Sequence, residues 1–335
     1  MAVNKLVLQD YAIDVVIPAY RVDEHIEDVI TELPEYIRHI IVVNDASPDD
    51  TRQRIEKVIQ RDKRVVLVNH KQNTGVGGAM ISGFKKAMEL GAQIVIKMDG
   101  DGQMSPTYLP DLLTPLILGQ ADYTKGNRFR DLPSLQKMPF IRRLGNVGLS
   151  FFSKAATGYW NCFDPTNGFI AIRIETLSQL PLQQIDKSYF FEISMLAQLY
   201  LLGAYIHEIP MPSRYAGEQS SLSIGKVLIE FPPKLVWIFI RRLLIKYFII
   251  DFSIISIYIM TSIPLLLFGL IFGISKWIKY SRLGIPTPTG TVMLPVLSLM
   301  LGMQILLSAI GIDLQSVPTK PLFDNPLPSS LQDFQ

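Results

Sequence analysis

The chain has one cysteine, Cys162, in 335 residues. That excludes an intramolecular disulfide and a cysteine-based metal site, and it fits a reducing compartment. Charge of one sign is also missing: 32 Lys and Arg stand against 30 Asp and Glu, a net charge of +2. No strongly acidic or basic partner follows from that balance. No basic tract carries interleaved aromatics, so nucleic acid is not an expected partner. Near the N-terminus, Asp10 and Asp14 interrupt every apolar run of useful length, and no signal peptide is expected. The dinucleotide fingerprint is absent as well. The glycine-rich loop at Asn73 has the wrong spacing and follows a third candidate strand, not a first. His70 and His207 read as structural residues.

What is present divides unevenly along the chain. Residues up to about 225 have the composition of a soluble domain, whereas those from about 235 to 312 are dense in Ile, Leu, Phe and Met. The first part is organised around Ile94-Val-Ile-Lys-Met-Asp-Gly-Asp-Gly-Gln103, a short apolar strand running straight into Asp99-Gly-Asp101. Two carboxylates two residues apart, where a strand meets a glycine-bearing turn, can converge on one hard cation. Mg2+ and Mn2+ take oxygen ligands, commonly one or two carboxylates plus phosphate oxygens. Gly100 and Gly102 let the backbone approach a ligand closely there.

Three more apolar strands precede it: Ile13 to Tyr20, ending in Pro18-Ala19-Tyr20; Ile40 to Asp45; and Val65 to Val68. Helices fit between them at roughly Asp23 to Leu33, Asp50 to Arg61 with Ser47 or Asp49 as cap, and Ala79 to Leu90. Such alternation predicts an α/β fold with a mostly parallel sheet covered by helices on both faces. Ligands of such sheets sit beyond the carboxyl ends of the strands, where Pro18-Ala-Tyr20, Asp45, Gly75-Val-Gly77 and Asp99/Asp101 all fall. The loop Asn73-x-Gly75-x-Gly77-Gly78 opens a helix. It either offers free N–H groups to an anion or uses its glycines for tight packing. Further on, a helix is expected over Pro106–Leu118 and a strand over Ala121–Arg128, with Arg128 leaving toward the same crevice. A longer helical stretch, Leu132–Tyr159, carries Arg142, Arg143 and Asn146 and packs by its apolar face. A loop and strand follow over Phe163–Arg173, then a helix from Ser188 to about Leu202 and a last strand over Ile206–Pro210. The polar segment Ser213–Ser221 has the composition of a loop that closes over a substrate.

In this order, Pro18-Ala-Tyr20, Val42-Val-Asn-Asp45, Asn73-x-Gly75-x-Gly77, Asp99-Gly-Asp-Gly-Gln103, Gly126-Asn-Arg128, Asp164-Pro-Thr-Asn-Gly-Phe169 and Arg214-Tyr-x-Gly-Glu218 resemble family-2 glycosyltransferases of the GT-A fold. The resemblance is to the branch that glycosylates polyisoprenyl phosphates, and it covers roughly residues 13 to 225. It implies a Rossmann-like GT-A catalytic domain over residues 1–225. It implies Mg2+ or Mn2+ on Asp99 and Asp101 with Gln103 in the metal shell. Nucleotide-sugar contacts are implied for Pro18, Ala19, Tyr20, Asp45, Gly75, Gly77, Asp99, Gly100 and Asp101. The family often has Asn-Glu directly after Pro-x-Tyr; this chain has Arg21-Val22-Asp23-Glu24, and Glu24 is taken as the acid. Its common Asp-Asp pair is Asn44-Asp45 here, so Asp45 alone carries over as the acid that contacts the base. Arg128 and Arg214, with Ser221, are expected at the acceptor phosphate, since guanidinium matches phosphate geometry. Asp164 positions a sugar hydroxyl or the acceptor, or is an Asx-turn residue; Glu192 is a weaker candidate for the same task. The implied reaction is inverting transfer of a hexose, glucose from UDP-glucose or mannose from GDP-mannose, to a polyisoprenyl phosphate. Two rivals are a processive polysaccharide synthase, disfavoured by the lack of a Gln-x-x-Arg-Trp sequence, and a non-catalytic scaffold, disfavoured by intact Asp99 and Asp101.

The apolar third holds two runs, Phe252–Ile274 and Thr291–Ile312, each long enough for the roughly 20 residues a bilayer core requires. They read as a transmembrane hairpin over residues 251–314, joined by a polar loop, Ser275–Gly290, with Lys276, Lys279 and Arg282. A tail follows over 315–335. Before the hairpin, residues 226–250 form a juxtamembrane segment. Within it, Lys234–Tyr247 sets Arg241, Arg242 and Lys246 beside Trp237, Phe239 and Leu243. That stretch is either a helix lying at the interface near anionic headgroups or an extension of the first span. Five basic residues, Lys226, Lys234, Arg241, Arg242 and Lys246, precede the first span against three in the loop. This favours a cytoplasmic head; the paired spans resemble the bacterial branch of the family, which implies a bacterial inner membrane. Self-association through the anchor is left open.

Overall fold

A computed structural model describes residues 8–128, 140–211 and 224–323. Its centre is made of the continuous β-branched runs. Strands β1 (Ile13–Ala19), β2 (His39–Asn44), β3 (Val65–Asn69) and β4 (Ile94–Lys97) lie parallel in the order β3-β2-β1-β4. Val15, Val16 and Ile17 are all fully buried. Successive β residues point to opposite faces, so both faces of this sheet are covered. The covers are the crossover helices α1 (Ile26–Thr31), α2 (Thr51–Arg61) and α3 (Val76–Glu89). Helix α1 is shorter than the sequence suggested, because Val22–His25 forms a turn beyond the carboxyl end of β1.

Beyond β4 the sheet continues as β6 (Ile170–Arg173), β5 (Tyr123–Asn127) and β7 (Ile206–Pro210). Strand β6 runs antiparallel to both β4 and β5, while β7 is parallel to β5. The sheet is therefore mixed, with parallel pairs in the majority. The reversal has a functional consequence. Lys97 at the end of β4 pairs with Ile170 at the start of β6, so the loop entering β6 reaches the edge from which β4 exits. The next helices along the chain are α4 (Leu109–Ile117), which follows a 3-10 turn at Pro106–Tyr108, α5 (Phe140–Thr157), α6 (Ile174–Gln179) and α7 (Phe191–Leu202).

The chain divides into two units, one holding residues up to Phe239 and again from Pro318, the other Ile240–Val317. In the first unit, the segment after Pro318 returns to the sheet. The Leu322 amide donates to both carboxylate oxygens of Asp122 at 3.0 and 2.9 Å, and the Phe323 ring lies over the Arg173 guanidinium. Asp122 is fully buried. Burial raises its pKa, against the amides of Tyr205 and Leu322 that favour the anion.

Helix α8 (Ile224–Leu244) passes from one unit into the other and continues as a π-helical turn, Ile245–Ile250. The second unit is dominated by α9 (Ile254–Leu283) and α10 (Thr289–Gln315). Their most apolar stretches are only 22% and 17% buried, whereas a soluble core would cover such surface. They form a membrane anchor, and the protein is an integral membrane protein. Close approach is set by small residues: a Cβ on Gly269 would lie 2.7 Å from Leu299, and one on Gly302 2.9 Å from Leu266. Helix α9 is about 45 Å long at 1.5 Å per residue, more than the ~30 Å apolar layer needs. Lys276, Lys279 and Arg282 therefore belong to its last turns, not to a loop, and the connection shrinks to residues 284–288.

Arg242 corrects another expectation. It is buried rather than turned toward headgroups, and it forms a two-pronged pair with Asp313 at 2.7 and 3.0 Å, to which the Tyr247 hydroxyl also donates at 2.5 Å. A charge removed from water is kept only with such partners.

Candidate active site

The acidic turn hangs from β4. All four β4 residues are buried, and the last of them is a lysine. The Lys97 ammonium, 1% exposed, lies 2.6 Å from Asp99 Oδ1 and 3.4 Å from Glu192 Oε1 in the first turn of α7. Burial works to lower its pKa, but Asp99 and Glu192 more than reverse that and raise it. One turn further, Asp101 Oδ1 accepts the backbone amide of Gln103 at 3.0 Å. The Gln103 side chain is exposed, so its visible link to the acids is through the main chain. Gly102 has φ +75°, a conformation a Cβ would oppose, and Gly100 is packed against Ile17, Val22 and Ile26.

Asp101 also lines a cleft of about 320 Å3 with Arg21, Val22, Asp23, Glu24 and His25. Tyr20 stands half-exposed at the preceding position, and the Arg21 guanidinium lies 5.5 Å from its ring centre. Pro18 is partly buried and Ala19 fully so. Two non-glycine residues here have positive φ, Arg21 at 57° and Ala46 at 53°. Their loops are tied together by the Arg21 amide donating to Ser47 Oγ at 2.7 Å. Such outliers persist where surrounding contacts over-determine them. Asp49 is held down to about pKa 2, because hydrogen bonds from Ser47, Thr51 and Asp23 outweigh partial burial. Asp23 is raised by sharing that bond with Asp49. Of the two acids after Tyr20, Asp23 thus pairs within the protein, while both it and Glu24 face the cleft.

Asp45 has a role that the sequence did not suggest. It is 2% exposed, and its two oxygens accept bonds from Thr74 N, Thr74 Oγ1 and Gly75 N at 2.8–3.1 Å. His70 Nδ1 lies 2.6 Å from the same carboxylate, and its Nε2 lies 2.9 Å from Ser82 Oγ on α3. The acid builds the glycine-rich loop; it does not project into the cleft. His70, read as merely structural, is one of its partners. The pairing comes from the sheet register: Asn44 and Asn69 are partners across β2 and β3, so the residues after them meet. The glycines are explained by packing too. A Cβ on Gly75 would lie 2.5 Å from the Lys187 carbonyl, and one on Gly77 would overlap the Asp186 carbonyl. Of the two readings left open for this loop, the described contacts are those of tight packing against Asp186–Ser188.

At the neighbouring loop, Asp164 is fully buried and grips Arg128. The Arg128 Nε and Nη2 donate to the two carboxylate oxygens at 2.8 and 3.0 Å, and its amide adds a third bond at 3.1 Å. Burial works to raise the Asp164 pKa, but the adjacent guanidinium holds it below the ordinary carboxylate value. Arg128 is 42% exposed, so its outer edge is presented to solvent. Glu208 of β7 supports this loop through the amides of Phe163 and Asp164 at 2.8 and 3.1 Å. Arg214 and Ser221 lie outside the described residues.

Among the described residues, no three His, Cys, Asp or Glu converge as a complete metal cage. Asp99 and Asp101 nonetheless suit Mg2+ or Mn2+. They are oxygen-only donors, Asp101 lining the open cleft and Asp99 partly exposed two residues before it, the incomplete set these ions take when phosphate oxygens and water fill the other positions.

Residues 14–180 match glycosyl transferase family 2. The UDP-N-acetylglucosamine–dolichyl-phosphate N-acetylglucosaminyltransferase of Methanococcus voltae is 32% identical over 254 residues, covering 71% of this chain and 98% of that protein. The chain belongs to glycosyl transferase family 2. This family-2 glycosyltransferase is also 31% identical over 217 residues to the undecaprenyl-phosphate mannosyltransferase of Micrococcus luteus, covering 63% of the chain and 88% of that protein. Its fold is similar to that of glucosyl-3-phosphoglycerate synthase from Mycobacterium tuberculosis, solved with UDP. The TM-score is 0.55 at 20% identity, covering 72% of this chain and 85% of the other. That likeness establishes the GT-A-type architecture expected from the sequence.

Proposed function

We propose that this glycosyltransferase moves a hexose from a nucleoside diphosphate sugar to a polyisoprenyl phosphate in the membrane, with inversion at the anomeric carbon. The observation that carries the reading is a juxtaposition. The acidic turn after β4 and the Arg128–Asp164 fork emerge at the same sheet edge, in a chain that continues into a two-helix anchor. The relatives named for dolichyl- and undecaprenyl-phosphate substrates support the acceptor class.

An acceptor phosphate monoester has its second pKa near 6 and is an anion at neutral pH, so its oxygen attacks without a strong general base. Asp164 is then no base: it is buried, ionised and occupied by Arg128. Its task is to aim the guanidinium, whose exposed edge binds the acceptor phosphate. Holding nucleophile and anomeric carbon in line supplies the larger part of the rate. Asp99 and Asp101 would hold Mg2+ or Mn2+, which when bound neutralises charge on the departing diphosphate. Arg21 and Glu24 face the cleft and would meet the donor there, while the glycine-rich loop, built on Asp45, is held against Asp186–Ser188. Single displacement inverts the sugar linkage.

The donor is a nucleotide-linked hexose or N-acetylhexosamine. The sequence resemblance favoured UDP-glucose, whereas the relatives are named for N-acetylglucosamine and mannose. Membranes containing the protein are incubated with labelled UDP-GlcNAc, GDP-mannose or UDP-glucose, with and without EDTA. EDTA-sensitive label in the organic extract with one donor supports the reading; no transfer to lipid from any of the three overturns it.

A further inference from the structure

We propose that Lys97 is a resident counter-ion of the acidic turn, one that suppresses divalent-ion binding until a nucleotide diphosphate arrives. The proposal rests on reading Asp99 and Asp101 as the metal-holding pair. Lys97 ends a strand whose every residue is buried, where an ammonium without an anion beside it is strongly disfavoured. It is retained between two acids, 2.6 Å from Asp99 and 3.4 Å from Glu192. Glu192 comes from the first turn of α7, where a negative charge also meets the positive end of the helix dipole. Gly168 closes a further side: a Cβ there would overlap the ammonium and stand 3.0 Å from Asp99 Oδ2. The enclosure fits the lysine terminus and leaves it no room to swing away.

Asp99 sits on the boundary, its side chain 31% exposed, with Oδ1 on the ammonium. A dication approaching Asp99 meets a fixed positive charge a few ångströms behind the carboxylate, in a region that salt does not screen well. The acids by themselves are thus partly neutralised. A nucleotide diphosphate adds at least two negative charges at the cleft and supplies further oxygen ligands, which tips the balance. The consequence is an order of binding: the metal enters with the nucleotide or after it. Glu192 acts through Lys97 and is a positioning residue.

The test is Mn2+ binding by the purified full-length protein in detergent, with free Mn2+ followed by EPR, without nucleotide and with UDP or GDP. Wild type is expected to bind Mn2+ weakly alone and much more tightly with one of the two nucleotides. K97M is expected to raise the nucleotide-free affinity by at least ~10-fold and to shrink the gain that nucleotide brings. Because K97M leaves two acids without their cation, K97M/E192Q is measured beside it. This pair removes both charges at similar volume, guards the fold, and still takes the ammonium from Asp99, so its nucleotide-free affinity also rises. If neither variant binds Mn2+ more tightly than wild type without nucleotide, the counter-ion role is wrong. If wild type takes up no Mn2+ with either nucleotide, or D101A binds it as wild type does, the metal reading itself fails, and that result is distinct.

Discussion

At the scale of single residues, the Asp164–Arg128 fork makes a pH-dependent prediction. The folded pKa of Asp164 is depressed, so its stabilisation is present above the unfolded value, about 3.9. It is lost as pH falls through the folded value. D164N removes this contribution. Chemical denaturation at pH 7 should show a loss of about 1–3 kcal/mol, at or below the usual range for a broken buried pair because Arg128 is partly exposed. Below about pH 4 the gap between wild type and variant should close; a gap independent of pH would refute the assignment. Turnover should fall by ~10-fold or more, with the KM for acceptor rising more than that for donor. The acids that face ligands were legible from motif order, but their partners were not. Lys97 looks like one polar residue in an apolar strand, and nothing near it in sequence announces Glu192, 95 positions later, as its second acid. Only the packing of α7 against α3, Phe191 on Phe84, and against α5, Phe190 and Ile193 beside Ala156, brings Glu192 to the lysine.

At the scale of elements, the glycine-rich loop is where sequence gave two answers. Its packing against Asp186–Ser188 predicts that G77A loses at least ~2 kcal/mol, because a backbone carbonyl and not a flexible side chain must yield. Thermal unfolding should show this without nucleotide; a variant as stable as wild type that failed only in nucleotide binding would return the glycine to a ligand role. Strands were recognised readily, since both-face burial writes itself as unbroken apolar runs, and β7 falls on Ile206–Pro210 as read. Strand direction was harder. A short apolar run is the same whichever way it lies, so the reversal of β6 had no signal. Helix α9 was cut short in the reading because its last turns carry lysines. Hydropathy reports the bilayer and not the helix, which continues into water.

At the scale of the molecule, topology can be checked with unusual ease. Cys162 is buried, and burial raises its thiol pKa well above the ordinary range, so it should resist maleimides. A single cysteine placed by T287C in the connection between α9 and α10 then reports alone. With a cytoplasmic head, a membrane-impermeant maleimide should label it from outside intact cells; labelling only in inverted vesicles would place the head on the other side. Cutting the chain after residue 250 should spare some transfer to short, water-soluble prenyl phosphates and abolish transfer to long-chain acceptors in vesicles. It should also lower the stability of the head by about 1–3 kcal/mol, since the Leu322 amide that satisfies buried Asp122 goes with the anchor.

That last contact spans 200 residues. The hairpin is consequently an insertion with both stems rooted in one globule, not an appendage at its end. A ribosome will have delivered both spans before the residue that seats against Asp122 emerges. The head is therefore completed only after both spans have been synthesised, and nascent chains arrested before Leu322 should be digested by protease more readily than finished ones.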